Sequence, residues 1–299
     1  MRLPSMLSTM ARIGAAALAL VCVPVMASAT DDVAVFPDPS RVVAIGGSIT
    51  EIVYALGEQD KLVARDSTSV YPQAALALPD VGYMRALSPE GVLSVNPTAI
   101  LALHGSGPRE AVDVLKKASV PYVEVPESFD HKGILAKIHV VGKALGADAA
   151  ADQLAAKVDA QLQAAESLTA GMAERQRVLF VLSLQGGKLM AAGSGTAAEG
   201  IIKLAGAVNA VEGFAGYKQL SDEAAIGARP DIILMMDRGG DHSVVADELF
   251  ALPAIASTPA GQARRLIHMD ASYLLGFGPR TADAIRDLAT ALYGDRIAN

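Results

Sequence analysis

Val81-Gly82-Tyr83-Met84-Arg85-Ala86-Leu87-Ser88-Pro89-Glu90 sets a phenol, a guanidinium and a helix-starting acid within ten residues, and its second half returns later as Leu220-Ser221-Asp222-Glu223. The residues after each copy also match. Pro97 lies seven positions after Glu90, and Pro230 lies seven after Glu223. Each proline then opens an apolar run, Thr98-Ala99-Ile100-Leu101 in one case and Asp231-Ile232-Ile233-Leu234 in the other. Upstream, Ser48-Ile49-Thr50-Glu51 through Gly57 resembles Gly195-Thr196-Ala197-Ala198-Glu199 through Gly206. Two copies of one β/α order imply two lobes related by a pseudo-twofold.

Between these landmarks, short β-branched or apolar runs alternate with helical patterns. Arg41–Gly47, Lys61–Ala64, Ala99–Leu103 and Pro121–Val125 read as strands of the first lobe, with helices after Ser48, after Ser88 and over residues 108–118. Arg177–Leu182, Ile232–Met236 and Arg265–Met269 read as strands of the second, with Val208–Val211 as a short extra one and Pro279–Leu292 as the last helix. Such alternation predicts an α/β fold: two β/α, Rossmann-like lobes with mainly parallel sheets and a ligand cleft between them. From Ile134 to Gln176 no strand signal occurs, and Leu154, Val158, Leu162 and Leu168 make a helical stripe. Asp148–Ala173 therefore reads as one long helix of ~39 Å, able to cross between lobes. The expected division is residues 30–145 for the N-terminal lobe, 146–176 for the joining helix and 177–299 for the C-terminal lobe.

The N-terminus has Arg2 and Arg12, a thirteen-residue apolar run from Ile13 to Val25, and the small-x-small site Ala27-Ser28-Ala29. This reads as a secretory signal peptide over residues 1–29, cleaved after Ala29, since a bilayer span needs ~20 apolar residues. The one cysteine, Cys22, falls inside the run, and the bulky Val21 before it argues against lipoprotein processing. A free periplasmic monomer is expected. Basic residues are scattered and the net charge is -7, which argues against nucleic acid as a partner. With no Trp and 4% aromatics, a sugar-stacking site is disfavoured.

Catalytic motifs are missing, and no enzyme is expected. Gly46-Gly47-Ser48 lacks the following glycine of a nucleophile elbow, Gly105-Ser106-Gly107-Pro108-Arg109-Glu110 fails the dinucleotide fingerprint, and Gly193-Ser194-Gly195-Thr196 has no phosphate-loop lysine. Among the five histidines, His131 and His139 stand eight apart with no carboxylate between them, so zinc or manganese could be held only by distant loops. His104 and Arg238 follow equivalent strands and should point to the cleft, as should the polar loop from Arg65 to Pro72 and the Tyr83 segment.

The arrangement resembles the ABC-transporter substrate-binding proteins with a single long inter-lobe helix, which carry vitamin B12, siderophores and haem. Asp66-Ser67-Thr68-Ser69-x-Tyr71-Pro72 followed by Leu78-Pro79-Asp80-Val81-Gly82-Tyr83-Met84-Arg85-x-Leu87-Ser88-x-Glu90-Gly91 is similar to the periplasmic haem-binding branch. The resemblance covers essentially the whole mature chain, and Gly-Tyr-Met-Arg is its specific part. It implies a cargo of ferric b-type haem, with Tyr83 as axial ligand to the iron, Tyr71 as the rival phenol, and Arg238 of the second lobe against the phenol. Arg85 is implied as a partner of the propionates, and Arg65, Tyr71 and His104 as pocket residues. Taken alone, Tyr83 would be an aromatic packing on the cleft floor. The resemblance also implies that Glu90 and Glu223, one on each lobe, pair with arginines of a dimeric inner-membrane permease and its ATPase subunits; without it, both are ordinary first-turn acids. Some members hold a second, stacked haem through a histidine in the loop that here reads Ser183-Leu184-Gln185-Gly186-Gly187. One haem is expected, with His242 and His104 as the histidines able to approach from other loops. The same scaffold carrying a siderophore or corrinoid is the nearest alternative, and a secreted haem or metal enzyme a more distant one.

Overall fold

The structure is a computed structural model that describes residues 33–237 and 242–297. The expected signal peptide with Cys22, residue Arg238 and the side chain of His242 lie outside the described residues.

The first lobe runs β1 (Val42–Ile45), α1 (Gly47–Ala55), β2 (Leu62–Arg65), α2 (Pro89–Leu93), β3 (Ala99–Leu103), α3 (Arg109–Lys117) and β4 (Tyr122–Val125). Its strands stand in the order β2-β1-β3-β4, and every neighbouring pair is parallel. All residues of β1 and β3 are buried, as their unbroken apolar runs require in a sheet covered on both faces. Two helices then carry the chain onward. Asp130 caps α4 (His131–Leu145) by accepting the Gly133 N–H at 2.7 Å, and Gly146, at φ 69°, ends it.

The next helix, α5, spans Asp148–Ser167 and is shorter than the helix to Ala173 that the apolar stripe suggests. At 20 residues it is ~30 Å long. Its end tightens into short-range bonds from Leu168 to Ala165, Thr169 to Glu166 and Ala170 to Ser167. The turn brings Thr169, 2% exposed, against Gly206, where a Cβ would meet the threonine hydroxyl at 2.2 Å. Packing against the second lobe thus overrides the helical propensity of the following residues.

The second lobe contains β5 (Arg177–Gln185), β6 (Lys188–Ala192), α6 (Ala197–Leu204), β7 (Val208–Asn209), β8 (Tyr217–Leu220), α7 (Asp222–Ala228) and β9 (Ile232–Asp237). It continues through α8 (His242–Ala251), α9 (Pro253–Ala256), α10 (Pro259–Gln262), β10 (Leu266–Asp270), α11 (Ala271–Leu275) and α12 (Thr281–Tyr293). The sheet order is β10-β9-β5-β6-β8, with β7 also paired to β5. β10, β9, β5 and β7 are parallel to their partners, whereas β5/β6 and β6/β8 are antiparallel. The reversal after β5 is made by Gly186 and Gly187, at φ 55° and 77°, the two positive values that a tight hairpin turn demands. Strands β6 and β8 have no counterpart in the sequence reading.

One continuous apolar core joins the lobes. It includes Ile45, Leu101 and Ile138 from the first and Phe180, Leu234 and Ile285 from the second. The alternate residues Leu179, Val181 and Ile233 face a separate cluster with Phe250 on the far side of the second sheet. Where α4 crosses α5, Gly142 leaves no room for a side chain: a Cβ there would lie 2.3 Å from that of Ala151. Gly142→Ala should therefore lose ~1–3 kcal/mol despite the better helix propensity of alanine. A lower urea midpoint at unchanged slope would show it; an unchanged or raised midpoint would mean the helices can separate at no cost.

Candidate functional site

The loop from residue 66 to 88 carries both phenols, and its shape follows from one carboxylate. Asp66 is fully buried. Its oxygens accept the Gly46 N–H at 2.9 Å, the Thr68 N–H at 3.0 Å and the hydroxyls of Thr68 and Ser69 at 2.8 Å each. The Gly47 N–H in turn donates to the Thr68 hydroxyl at 3.0 Å, so the start of α1 and the loop are one hydrogen-bonded unit. Arg65, buried at the end of β2, donates to the carbonyls of Ala75 and Asp66 and to the Asp80 carboxylate. Its guanidinium braces the loop from beneath.

The Tyr83 segment returns beside β2 through Val81 N–H to Arg65 carbonyl and Ser67 N–H to Gly82 carbonyl, both at 2.9 Å. Val81, Met84 and Leu87 are buried, which turns Tyr83 and Arg85 outward together. A turn closes from the Ala86 N–H to the Tyr83 carbonyl, and Gly107 clips the segment by donating to Met84 and accepting from Leu87, all at 2.8 Å. The result is a phenol 43% exposed whose oxygen lies 2.9 Å from Arg85 Nη1. A guanidinium has five N–H groups, so this bond leaves Arg85 with donors for an anion.

The Gly107 clip also fixes the neighbouring loop, which begins at His104. The imidazole Nδ1 of His104 lies 2.6 Å from Glu124, and Lys116 bonds the other oxygen of that carboxylate. Lys116, followed by His104, holds the Glu124 carboxyl below its usual range against the opposing effect of burial. His104 itself is exposed, at the carboxyl end of β3 where the sequence places it. In the second lobe, burial pushes the phenol of Tyr217 of β8 up, while a backbone hydrogen bond with Ala198, the Arg85 guanidinium and Thr196 act against that rise. Tyr217 thus lies within electrostatic reach of Arg85 from the second lobe, a neighbour that sequence reasoning missed for want of any pattern around it.

Tyr71 stands in the same loop, 44% exposed, with the Arg280 guanidinium 3.6 Å from its ring centroid. Arg280 also donates through Nε to Glu51 at 2.9 Å. Nearby, the fully buried Lys137 donates to Glu127 at 2.7 Å, to Ser48 at 3.2 Å and to the carbonyl of Phe277 at 3.0 Å. Burial pushes the Glu51 and Glu127 carboxyls up and the Lys137 ammonium down, and the opposite charges work against each shift. None of these four charged residues carries a motif, so the sequence offered no means of finding the cluster.

The repeated acids are exposed and lie in first turns. Ser88 caps α2 by accepting the Gly91 N–H at 3.2 Å and donates to Glu90 at 2.8 Å; Ser221 caps α7 by accepting the Ala224 N–H at 3.2 Å. Backbone N–H groups, with the serine hydroxyls second, hold both glutamates below the usual carboxylate range. The histidines weighed for a metal site are spent elsewhere: His131 lies between Asp159 and Glu166 of α5, at 2.7 and 2.9 Å, and His139 lies 3.4 Å from Asp152. Among the described residues no group of three or more His, Cys, Asp or Glu is arranged to hold a metal ion. Two cavities, of ≈ 250 Å³ beside Arg177 and Phe214 and ≈ 300 Å³ beside Phe129 and Arg175, lie away from Tyr83 and Tyr71.

Two β/α lobes on mainly parallel sheets, joined through α5, are the architecture of a two-lobed binding protein. Residues 42–273 match the model of the periplasmic binding protein family, and the chain belongs to that family. It is similar to the solved periplasmic heme-binding protein BhuT in complex with two hemes, at 42% identity and a TM-score of 0.79 over 84% of this chain and 97% of that one. It is similar also to the apo form of periplasmic heme-binding protein RhuT from Roseiflexus sp. RS-1, at 38% identity and a TM-score of 0.81 over 86% and 99%. Among curated sequences it is 26% identical to YvrC of Bacillus subtilis (strain 168), an uncharacterized ABC transporter substrate-binding lipoprotein, over 90% of this chain and 84% of that protein. A vitamin B12-binding protein of Yersinia pestis is 37% identical over 81 residues, 27% of this chain and 29% of that protein. The family and these relatives are substrate-binding proteins, not enzymes; they work outside the cytoplasm with a membrane permease and its ATPase.

Loss of the Asp66 carboxylate should disorganise the loop that holds the site. Asp66→Ala leaves buried N–H and O–H donors without an acceptor, and should cost ~3 kcal/mol of stability. Amide exchange localised to residues 66–83 would locate the damage; wild-type stability would mean that water replaces the carboxylate without loss.

Proposed function

We propose that this chain is a periplasmic substrate-binding protein that captures ferric haem between its lobes and delivers it to an inner-membrane ABC permease. The observation that carries the reading is the Tyr83–Arg85 pair, an outward phenol bonded to a guanidinium at 2.9 Å on a doubly clipped segment at the cleft. The similarity to heme-binding proteins along nearly their whole length supports it. Ferric iron is a hard acid and a phenolate a hard oxygen donor, a combination that holds haem in its oxidised state. A free phenol ionises near pH ~10, so the metal and a neighbouring cation must together favour the phenolate. Arg85 stands where that cation is needed. Arg238 keeps the role against the phenol that the resemblance gives it, and the remaining N–H groups of Arg85 suit a propionate.

Tyr71 serves in this reading as a wall, since a stacked guanidinium already occupies one face of its ring. The segment Ser183–Gly187, which would have to supply a histidine for a second haem, is a hairpin tip without one, so one haem per chain is assigned. Glu90 and Glu223 are the acids that meet the permease, one from each lobe, as a twofold partner requires. Residues 1–29 direct the chain to the periplasm and are removed after Ala29.

Adding haemin to the purified mature protein should give a high-spin, tyrosinate-type ferric spectrum that saturates at about one equivalent. Tyr83→Ala should abolish that signature, Tyr71→Phe should retain it, and Arg85→Ala should weaken binding ~10- to 100-fold. No Soret shift in wild type would sink the reading, and binding of a corrinoid or ferric siderophore in its place would assign the other cargo.

Charge reversal of both Glu90 and Glu223 to Lys should leave haemin affinity unchanged and impair delivery to the transporter, because exposed acids steer docking more than they stabilise the fold. Lost haemin affinity in the double variant would place these acids on the wrong face.

A further inference from the structure

We propose that Arg280 is a positioning residue that sets the gap between the lobes where Tyr71 stands, holding Glu51 with its edge and the Tyr71 ring with its flat face. Arg280 belongs to the second lobe, at the residue before α12. Its backbone N–H donates to Glu51 Oε1 at 3.0 Å and its Nε to Oε2 at 2.9 Å, so both oxygens of a buried first-lobe carboxylate are engaged by one residue of the other lobe. The guanidinium carbon then lies 3.6 Å from the Tyr71 ring centroid, the separation of stacked planes, and 5.4 Å from that of Tyr273. Tyr273 is itself held by its hydroxyl, which donates to Asp287 of α12 at 2.8 Å. One planar cation is therefore caught between an aromatic of each lobe, with a carboxylate fixing its rotation.

Three residues earlier the same segment is held again, by Lys137 of the first lobe on the carbonyl of Phe277. Residues 277–280 thus form a second tie between the lobes, far along the chain from α5. With α5 and the apolar core that the lobes share, this anchored segment leaves them little freedom. A cleft held at fixed width is prepared for a flat, rigid cargo, and such preparation raises affinity by removing the ordering cost from the binding step. Lysine cannot replace Arg280 in this role, because an ammonium pairs with the carboxylate but presents no plane to the ring.

The part concerning cargo rests on the haem reading, whereas the part concerning lobe separation does not, and the experiment keeps them apart. Spin labels on Val114→Cys in α3 and Ile226→Cys in α7, both exposed, report the distance between lobes in the ligand-free mature protein. The parent pair should give a narrow distance distribution. Arg280→Lys, which keeps a cation opposite Glu51, and Tyr71→Leu, which removes an exposed ring, should both broaden or shift it; Tyr71→Phe should restore the parent distribution. Haemin should dissociate about tenfold faster from Arg280→Lys and Tyr71→Leu than from the parent, within the range usual for linked sites. Unchanged distributions in Arg280→Lys and Tyr71→Leu overturn the proposal. A broadened distribution in Arg280→Lys alone overturns the part played by the ring. A wild-type protein that fails to bind haemin but shows the distance changes refutes the cargo while leaving the positioning role standing.

Discussion

A buried carboxylate without a cationic partner is tolerated only where N–H and O–H donors surround it, and Asp66 meets that condition with main-chain and hydroxyl groups drawn from two different segments. The turn that starts α1 and the loop that carries Tyr71 and Tyr83 must both close on it. This one constraint sets the path of the chain beside β2, the outward turn of Tyr83 and the reach of Tyr71 toward the second lobe. The bracing Arg65 has the same logic at the next layer, since a buried guanidinium needs acceptors and finds them in loop carbonyls. The ligand loop is therefore long and irregular without lacking internal bonds.

Most of the architecture is legible in the sequence because buried parallel strands must be apolar throughout and helices must begin and end with recognisable residues. The two Ser-capped starts and the runs of β1, β3, β5 and β9 all carry such marks. The elements that escape are local to the second lobe. Strand β8, Tyr217–Leu220, has three exposed residues and so no apolar signature. Strand β6 hides behind Gly186-Gly187, which resembles a plain loop, although two glycines between strand-like runs are a hairpin signal in themselves. The early end of α5 cannot be read from residues 168–173, because its cause, the fit of Thr169 to Gly206, lies 37 positions away.

At the site, the division is similar. Tyr83 and Arg85 are visible since they sit in one short motif, and spacing two apart puts them on one side of the segment. Their mutual hydrogen bond has no such mark; the resemblance points instead to Arg238, in the other lobe, for the cation. The bonds of Arg65 to the loop carry no mark either, because a basic residue at a strand end looks the same in sequence whether it faces a ligand or a loop. Glu51, Glu127, Lys137 and Arg280 are spread over more than two hundred positions, and only the fold brings them together.

That last group has a bearing on how separable the halves of this protein are. It comprises two acids and two bases, so it is neutral as a set and charged if any one member is removed, and an isolated buried charge costs several kcal/mol. A boundary drawn through α5 leaves Glu51, Glu127 and Lys137 on one side and Arg280, with the carbonyl of Phe277, on the other. The repeat suggests lobes that could be exchanged between relatives like cassettes. A hybrid joined at that helix would instead inherit a mismatched charge set and an unmatched socket for residues 277–280, unless both halves of the contact were transplanted together.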